Sequence, residues 1–268
     1  MRVVAVIAIN VFRESVRDKV LYNLVLFAVL LMGVSYLLGQ LTAGNEIKII
    51  KDLGLAAMSL FGLFIAVFIG IGLVSKEVDR RSIYALLAKP ISRQQFITGK
   101  YTGLVLTLLV NVTVMTLAFY AVLGAMAWKE GAWFQPHWEA PALDPALLKA
   151  IAMIFLQLMI VTAVALLFST FSSPMLAAAL TVGLYVVGHF NADLKHFENV
   201  VDSKPAVYLA RALYYLLPNM APFDIKAQVV HGAAVPNGFL MLNTAYAAVY
   251  ILALVSAATF IFMRRDFK

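Results

Sequence analysis

Residues 150–192 read AIAMIFLQLMIVTAVALLFSTFSSPMLAAALTVGLYVVGHFNA, 43 residues without one Asp, Glu, Lys or Arg. About 20 mostly apolar residues cross the hydrocarbon core of a bilayer, so this run is long enough for two crossings. Ser172, Ser173 and Pro174 supply the turn signal inside it. The stretch predicts two antiparallel spans, 150–171 and 175–192, joined at a tight corner. Four more segments pass the same test: 20–38, 53–74, 101–128 and 239–263.

Composition agrees. Hydrophobic residues make up 63% of the chain and charged residues 13%, against about 25% charged in a soluble domain, and the mean hydropathy is +0.89. The fold class expected is an all-α integral membrane protein of six transmembrane helices, forming a single domain over 1–268. A length of 268 residues leaves no room for a separate catalytic domain of ordinary size. The absence of cysteine excludes disulfides and thiolate chemistry. The N-terminal MRVVAVIAINVFRESVRDK lacks a small-residue cleavage site and is expected to be retained.

Charge sets the expected orientation. Residues 1–19, 75–100 and 264–268 together hold 13 of the 21 basic and 5 of the 14 acidic residues. Basic residues concentrate on the cytoplasmic side of membrane proteins, which predicts both termini inside, as six crossings require, with 40–52, 129–148 and 193–243 outside. The pI of about 9.5 therefore reflects topology, and no nucleic-acid partner is implied.

The central basic segment, SKEVDRRSIYALLAKPISRQQFITGKY at 75–101, carries the most functional information. Ile83, Leu86 and Leu87 fall at i, i+3, i+4 spacing, with Glu77, Asp79, Arg80 and Arg81 near the start of the same predicted helix. Lys89-Pro90 ends that helix, because proline removes an amide donor and disfavours helical geometry just before it. A second helix starts at once. Ser92 and Gln95 have capping-box spacing, and Ile91 and Phe96 stand at the positions of a hydrophobic staple. A basic loop alone would only anchor the chain. The added apolar face is what a docking element needs.

In residues 1–19, Val3, Val4, Ile7 and Val11 make an apolar stripe opposite Arg2, Arg13, Glu14, Arg17 and Asp18. That pattern suits a helix lying in the inner interface. On the predicted outer side, 128–148 carries Trp128, Trp133 and Trp138, whose indoles suit the headgroup layer. Residues 206–217, AVYLARALYYLL, are too few to span and are broken by Leu217-Pro218-Asn219, which predicts a re-entrant or interfacial helix over the outer mouth.

Catalytic signatures are missing. Gly99-Lys100, the sole Gly-Lys, lacks the rest of a phosphate loop, and neither H-E-x-x-H nor G-x-S-x-G occurs. His189, Asp193 and His196, at i, i+4, i+7, have the spacing of three metal ligands, though polar residues at a helix end explain the same pattern. No ionisable group other than His189 falls within the predicted spans, so ion coupling of the kind carriers use is not expected. Ser59, Asn111, Thr113, Thr116, Gln157, Thr162, Thr181 and Tyr185 are expected to hydrogen-bond between helices, and Gly62, Gly70, Gly72, Ala179 and Gly183 to permit close approach.

The order of interfacial helix, two spans, EVDRRSIYALLAKPISRQQFITGKYTG at 77–103, and four more spans with a long loop before the last resembles the permease subunits of ABC-2-type transporters. The nearest likeness is to those of nitrous-oxide-reductase maturation and gliding-motility export. FRESVRDKVLY at 12–22 and LPNMAPFDIKAQVVHG at 217–232 share in it. The resemblance implies that 77–90 is a coupling helix for a separate cytosolic ATP-binding subunit, with Tyr84 and Pro90 among its residues, and that 1–19 is a connecting helix. It also implies an outer re-entrant pair at 206–231, between spans 5 and 6. In such permeases the second and fifth spans line the path, which points to Ser59, Phe61, Phe64, Thr181 and Tyr185. It further implies a second, identical or homologous permease, a prokaryotic inner membrane, no cofactor on this chain, and ATP with magnesium on the ATPase. Two functions share these features: an ATP-driven exporter permease, and a scaffold passing ATPase-driven force to an extracytoplasmic partner.

Overall fold

A computed structural model describes residues 2–41, 46–79, 92–134, 141–191 and 203–264. Its elements are α1 (Arg2–Val16), α2 (Lys19–Gln40), α3 (Glu46–Asp79), α4 (Arg93–Phe134), α5 (Ala146–Ser169), α6 (Pro174–His189) and α7 (Lys204–Leu216). A 3₁₀ turn (Ala221–Phe223), α8 (Lys226–Val230) and α9 (Asn237–Arg264) complete the chain. Among the described residues there is no strand.

Among the described residues, five helices are long and apolar enough to cross a membrane: α2, α5, α9, α3 over Glu46–Gly72 and α4 over Arg93–Lys129. The segment predicted as the fifth span is shorter than expected. As α6 it has 16 residues, about 24 Å of helix, because it starts at Pro174, directly after the corner, and leaves helical geometry already at Phe190. In the other direction, α3 and α4 outrun the predicted spans. At 34 and 42 residues they extend about 51 and 63 Å, well past a hydrocarbon core of about 30 Å. A hydropathy window sees only the apolar middle of such a helix. The stretches at 46–52 and 129–134, expected as outer loop, are therefore helical, and Trp128 is an exposed residue on α4.

The two central helices are α3 and α5, packed against each other, with α2, α4, α6 and α9 around them. Close approach has a visible cause: a Cβ on Gly62 would stand 2.5 Å from Leu158 Cδ1, and one on Gly70 would stand 2.5 Å from Ala165 Cβ. Gly72 and Gly183, expected to do the same, have nothing within 4 Å of a Cβ.

The N-terminal stripe is real, and its partner is α4. Ala8, Val11 and Ser15 are buried, while Val6 and Ile9 on the other side stay exposed. Gly99 and Gly103 cut the groove that α1 occupies. A Cβ on Gly103 would fall 2.6 Å from the Ala8 carbonyl oxygen, and one on Gly99 would fall 2.8 Å from Ile7 Cβ. This is small-xxx-small packing, with no hydrophobic driving force needed beyond contact. The Asp18 carboxylate then accepts a 3.0 Å hydrogen bond from Val20 N–H, starting α2 directly after the bend.

These contacts predict that Gly103→Leu, which overpacks the groove, costs about 1–3 kcal/mol and releases α1. Gly33→Ala on α2, where nothing lies within 4 Å, should be neutral or slightly stabilising. Thermal unfolding in lipid nanodiscs, with protease sensitivity of the first 16 residues, distinguishes the two.

Candidate functional site

At one end of the bundle, which we call the elbow end, α3 finishes and α4 starts. Glu77 and Asp79 belong to the last turns of α3. The other coupling candidates, Arg80, Arg81, Ile83, Tyr84, Leu86, Leu87 and Pro90, lie outside the described residues, as does Ile91. The capping box is present as predicted: Gln95 N–H donates to Ser92 Oγ at 3.2 Å and Ser92 N–H donates to Gln95 Oε1 at 3.3 Å. Phe96, the described half of the staple, stacks on Phe262 of α9 with ring centroids 5.6 Å apart.

Halfway along, the candidate path residues separate into two groups. Ser59 of α3 is buried and stands beside the Tyr185 phenol of α6. Thr181 is also buried, but its hydroxyl donates to the Ala177 carbonyl of its own helix at 2.6 Å. Phe61 and Phe64 meet edge to face at 6.4 Å, and Phe64 is 38% exposed. The structure thus brings Ser59 beside Tyr185 and leaves Thr181 occupied locally.

His189 extends that junction to a third helix. Its Nε2 lies 2.9 Å from the Gln157 Nε2 amide on α5 and its Nδ1 lies 2.8 Å from the Tyr185 carbonyl. A carbonyl only accepts, so Nδ1 donates to Tyr185 while Nε2 pairs with the Gln157 amide. The Tyr185 ring stands edge-on to it at 4.5 Å. Both ring nitrogens are therefore used, which accounts for His189 without a metal. Asp193 and His196 lie outside the described residues, and among the described residues no group of three ligand-type side chains forms a metal site. The other polar residues do not bridge helices as expected. Thr113, Thr116 and Thr162 donate to carbonyls four residues back, and Asn111 likewise to Thr107. A hydroxyl can close that local bond before any neighbour arrives.

The opposite end, the cap end, carries the segment expected to be re-entrant, as α7, the 3₁₀ turn and α8. Leu217 is extended because Pro218 follows it, and α7 ends there. The turn that results has its polar backbone satisfied by flanking helices. Tyr250 Oη of α9 donates to the Leu216 carbonyl, and Asn219 N–H donates to Tyr246 Oη at 2.9 Å. Met220 N–H donates to the Gly188 carbonyl at 2.9 Å, and Asn191 Nδ2 donates to the Leu217 carbonyl at 3.4 Å. Gly188 admits the turn, since a Cβ there would stand 2.8 Å from the Pro218 carbonyl oxygen. Behind it Met220, Phe223, Ile225, Val229 and Val230 are fully buried, and α8 packs on α3 and α5.

Two lysines fasten the same end. Lys51 Nζ donates to the Pro141 carbonyl at 2.8 Å and Lys149 Nζ to the Val235 carbonyl at 2.9 Å. Lys51 of α3 and Lys100 of α4 are both fully enclosed, although they stand just outside the predicted spans 53–74 and 101–128. The longer helices bring these lysines inside. Sequence alone offered no signal for Tyr246, Tyr250 or Lys51, because the backbone groups they meet are 27 or more residues away.

Removing the partner of a backbone N–H or carbonyl costs about 1–3 kcal/mol where no water replaces it. Tyr250→Phe and Tyr246→Phe should each lower the unfolding temperature in lipid nanodiscs, the double variant most, whereas Tyr22→Phe on an exposed face of α2 should leave it unchanged.

No curated protein matches the chain. The family model described as ABC-2 family transporter protein matches residues 5–267, a span that takes in α2 to α9 and nearly all of α1. A multi-pass bundle with a capped elbow between its second and third long helices, matched over nearly its whole length, belongs to the ABC-2 family of transporter proteins, as a permease.

Proposed function

We propose that this chain is the permease half of an ATP-binding-cassette exporter, receiving a cytosolic ATPase on residues 77–90 and moving a substrate along a path beside α3 and α6. The family match over 5–267 carries the reading. In this reading the chain makes six crossings, counting α6, with both termini and the elbow end on the cytoplasmic side of a prokaryotic inner membrane and the cap end outside, a sidedness that the Lys and Arg distribution supports. ATP and magnesium belong to the partner. Ile83, Tyr84, Leu86 and Leu87 form the docking face, flanked by Glu77, Asp79, Arg80, Arg81 and Pro90.

A second permease completes the path. Supporting this, α3 is the most enclosed of the long helices and yet exposes Leu60, Phe64 and Phe68, a single stripe at i, i+4, i+8. The neighbouring α6 offers Ala179 and Gly183 on an open face. Ser59, Phe61, Thr181 and Tyr185 lie behind this surface and shape it.

Three measurements test the reading. Leu86→Asp with Leu87→Asp should abolish copurification of an ATPase with the tagged chain, since losing buried interface anchors costs several kcal/mol. Native mass spectrometry of the intact complex should then show two permeases on two ATPases. Undiminished copurification, or one permease per two ATPases, refutes it. Reporter fusions at Lys268 and next to Gly232 should give opposite signals, and agreement between them would overturn the six-crossing topology.

A further inference from the structure

Arg93, the first residue of α4, does not face solvent as a basic loop residue would. Its Nη1 donates to the Phe262 carbonyl at 3.0 Å and to the Met263 carbonyl at 2.8 Å. These belong to the last turn of α9, where helix carbonyls lack intrahelical partners and a cation is favoured by the helix dipole. Two further contacts secure the same joint. Phe96 stacks on Phe262, and the enclosed Lys100 holds its Nζ 4.8 Å from the Phe96 centroid.

The other half of α9 grips the cap-end turn, through Tyr246 on Asn219 N–H and Tyr250 on the Leu216 carbonyl. From residue 246 to residue 262 is about 24 Å of uninterrupted helix. One straight element is thus fastened by directional hydrogen bonds to the elbow at one end and to the cap-end turn at the other. Packing between them is non-directional: α9 meets α5 and α4 mainly through apolar side chains, and its outward face is largely open, with Val249, Leu252 and Phe260 exposed.

We propose that Arg93 is the positioning residue that makes α9 a push rod, passing displacement of the elbow to the Leu216–Met220 turn. The direction of use, from a docked ATPase toward the cap, rests on the function proposed above. The mechanical link itself does not. Both carbonyls take their bonds from the one nitrogen Nη1, whose two hydrogens the guanidinium fixes in its plane, whereas a lysine ammonium turns freely.

The chain has no cysteine, so single reporters are unambiguous. Met220→Cys, at a fully buried position, or Ala221→Cys as a second reporter, is labelled with a maleimide in lipid nanodiscs. In the chain alone, Arg93→Ala should raise the labelling rate about tenfold, as expected when a charge-assisted clamp is lost. Arg93→Lys should give a smaller rise. Arg264→Ala, which removes a guanidinium stacked 4.3 Å over Phe260 at the same helix end, should give none. In the complex with its copurified ATPase, magnesium ATP should change the rate in the Arg93 chain and not in Arg93→Ala, with ATPase retention equal in both. Unchanged labelling by Arg93→Ala in the chain alone overturns the rod. Loss of ATPase retention in that variant would make Arg93 a docking residue and overturn it as well. A rod effect in the chain alone, with no ATPase copurifying, would sustain the proposal and refute the function it was combined with.

Discussion

Inside a bilayer no water is present to complete a hydrogen bond, so each backbone N–H and C=O that leaves regular helix must find its partner within the protein. Much of the architecture answers to that requirement. The cap-end turn at Leu216–Met220 is possible because Tyr246, Tyr250, Asn191 and the Gly188 carbonyl meet its backbone group by group. Carbonyls at 141 and 235 are met by Lys51 and Lys149, and the last turn of α9 by Arg93. At these three places a side chain from another helix closes the break, whereas the corner at 170–173 and the bend at 17–18 close on their own local bonds.

These directional contacts do not hold the bundle together. Interhelical hydrogen bonds in membranes contribute on average about 0.6 kcal/mol each, so the link from His189 to Gln157 adds a modest increment. Cohesion comes from surfaces that fit, as where Gly62 takes Leu158, Gly70 takes Ala165, and Gly99 with Gly103 takes α1. The network decides instead how α6 is rotated against α3 and α5. With Tyr185 and His189 turned inward, the Ala179 and Gly183 side of α6 faces out.

What could be read from the sequence follows the range of the interaction concerned. The Ser92–Gln95 capping box was legible because it closes within one turn, and the end of α7 because Pro218 acts on its own neighbour. Existence of the long helices was legible from composition, their ends less so, since α3 and α4 run on past the apolar window. Gly99-Lys100 illustrates the opposite case. Judged as a defective phosphate loop it means nothing, whereas with Gly103 it forms the groove for α1, a role visible only once residues 4–11 lie beside it. His189 was singled out for metal spacing along one helix. Its true partners are a carbonyl four residues back and an amide 32 residues away, and only the first was within reach of a periodicity argument.

The distribution of bond types bears on how such a bundle can move. Directional bonds concentrate at the two ends, where elbow and turn are gripped, while the middle of α9 is packed by apolar contact and bare of cross-links among the described residues. Apolar surfaces in contact tolerate a slide of a fraction of a side chain with little change in contact area, whereas a hydrogen bond weakens steeply with distance and angle. A helix clamped at its ends and merely packed along its length therefore moves as one piece, carrying both clamps with it. The three-helix network at Ser59, Gln157 and His189 resists the same motion in α6. The least resistant line between the two ends of this protein runs along α9, and α3, α5 and α6 supply the frame against which it would slide.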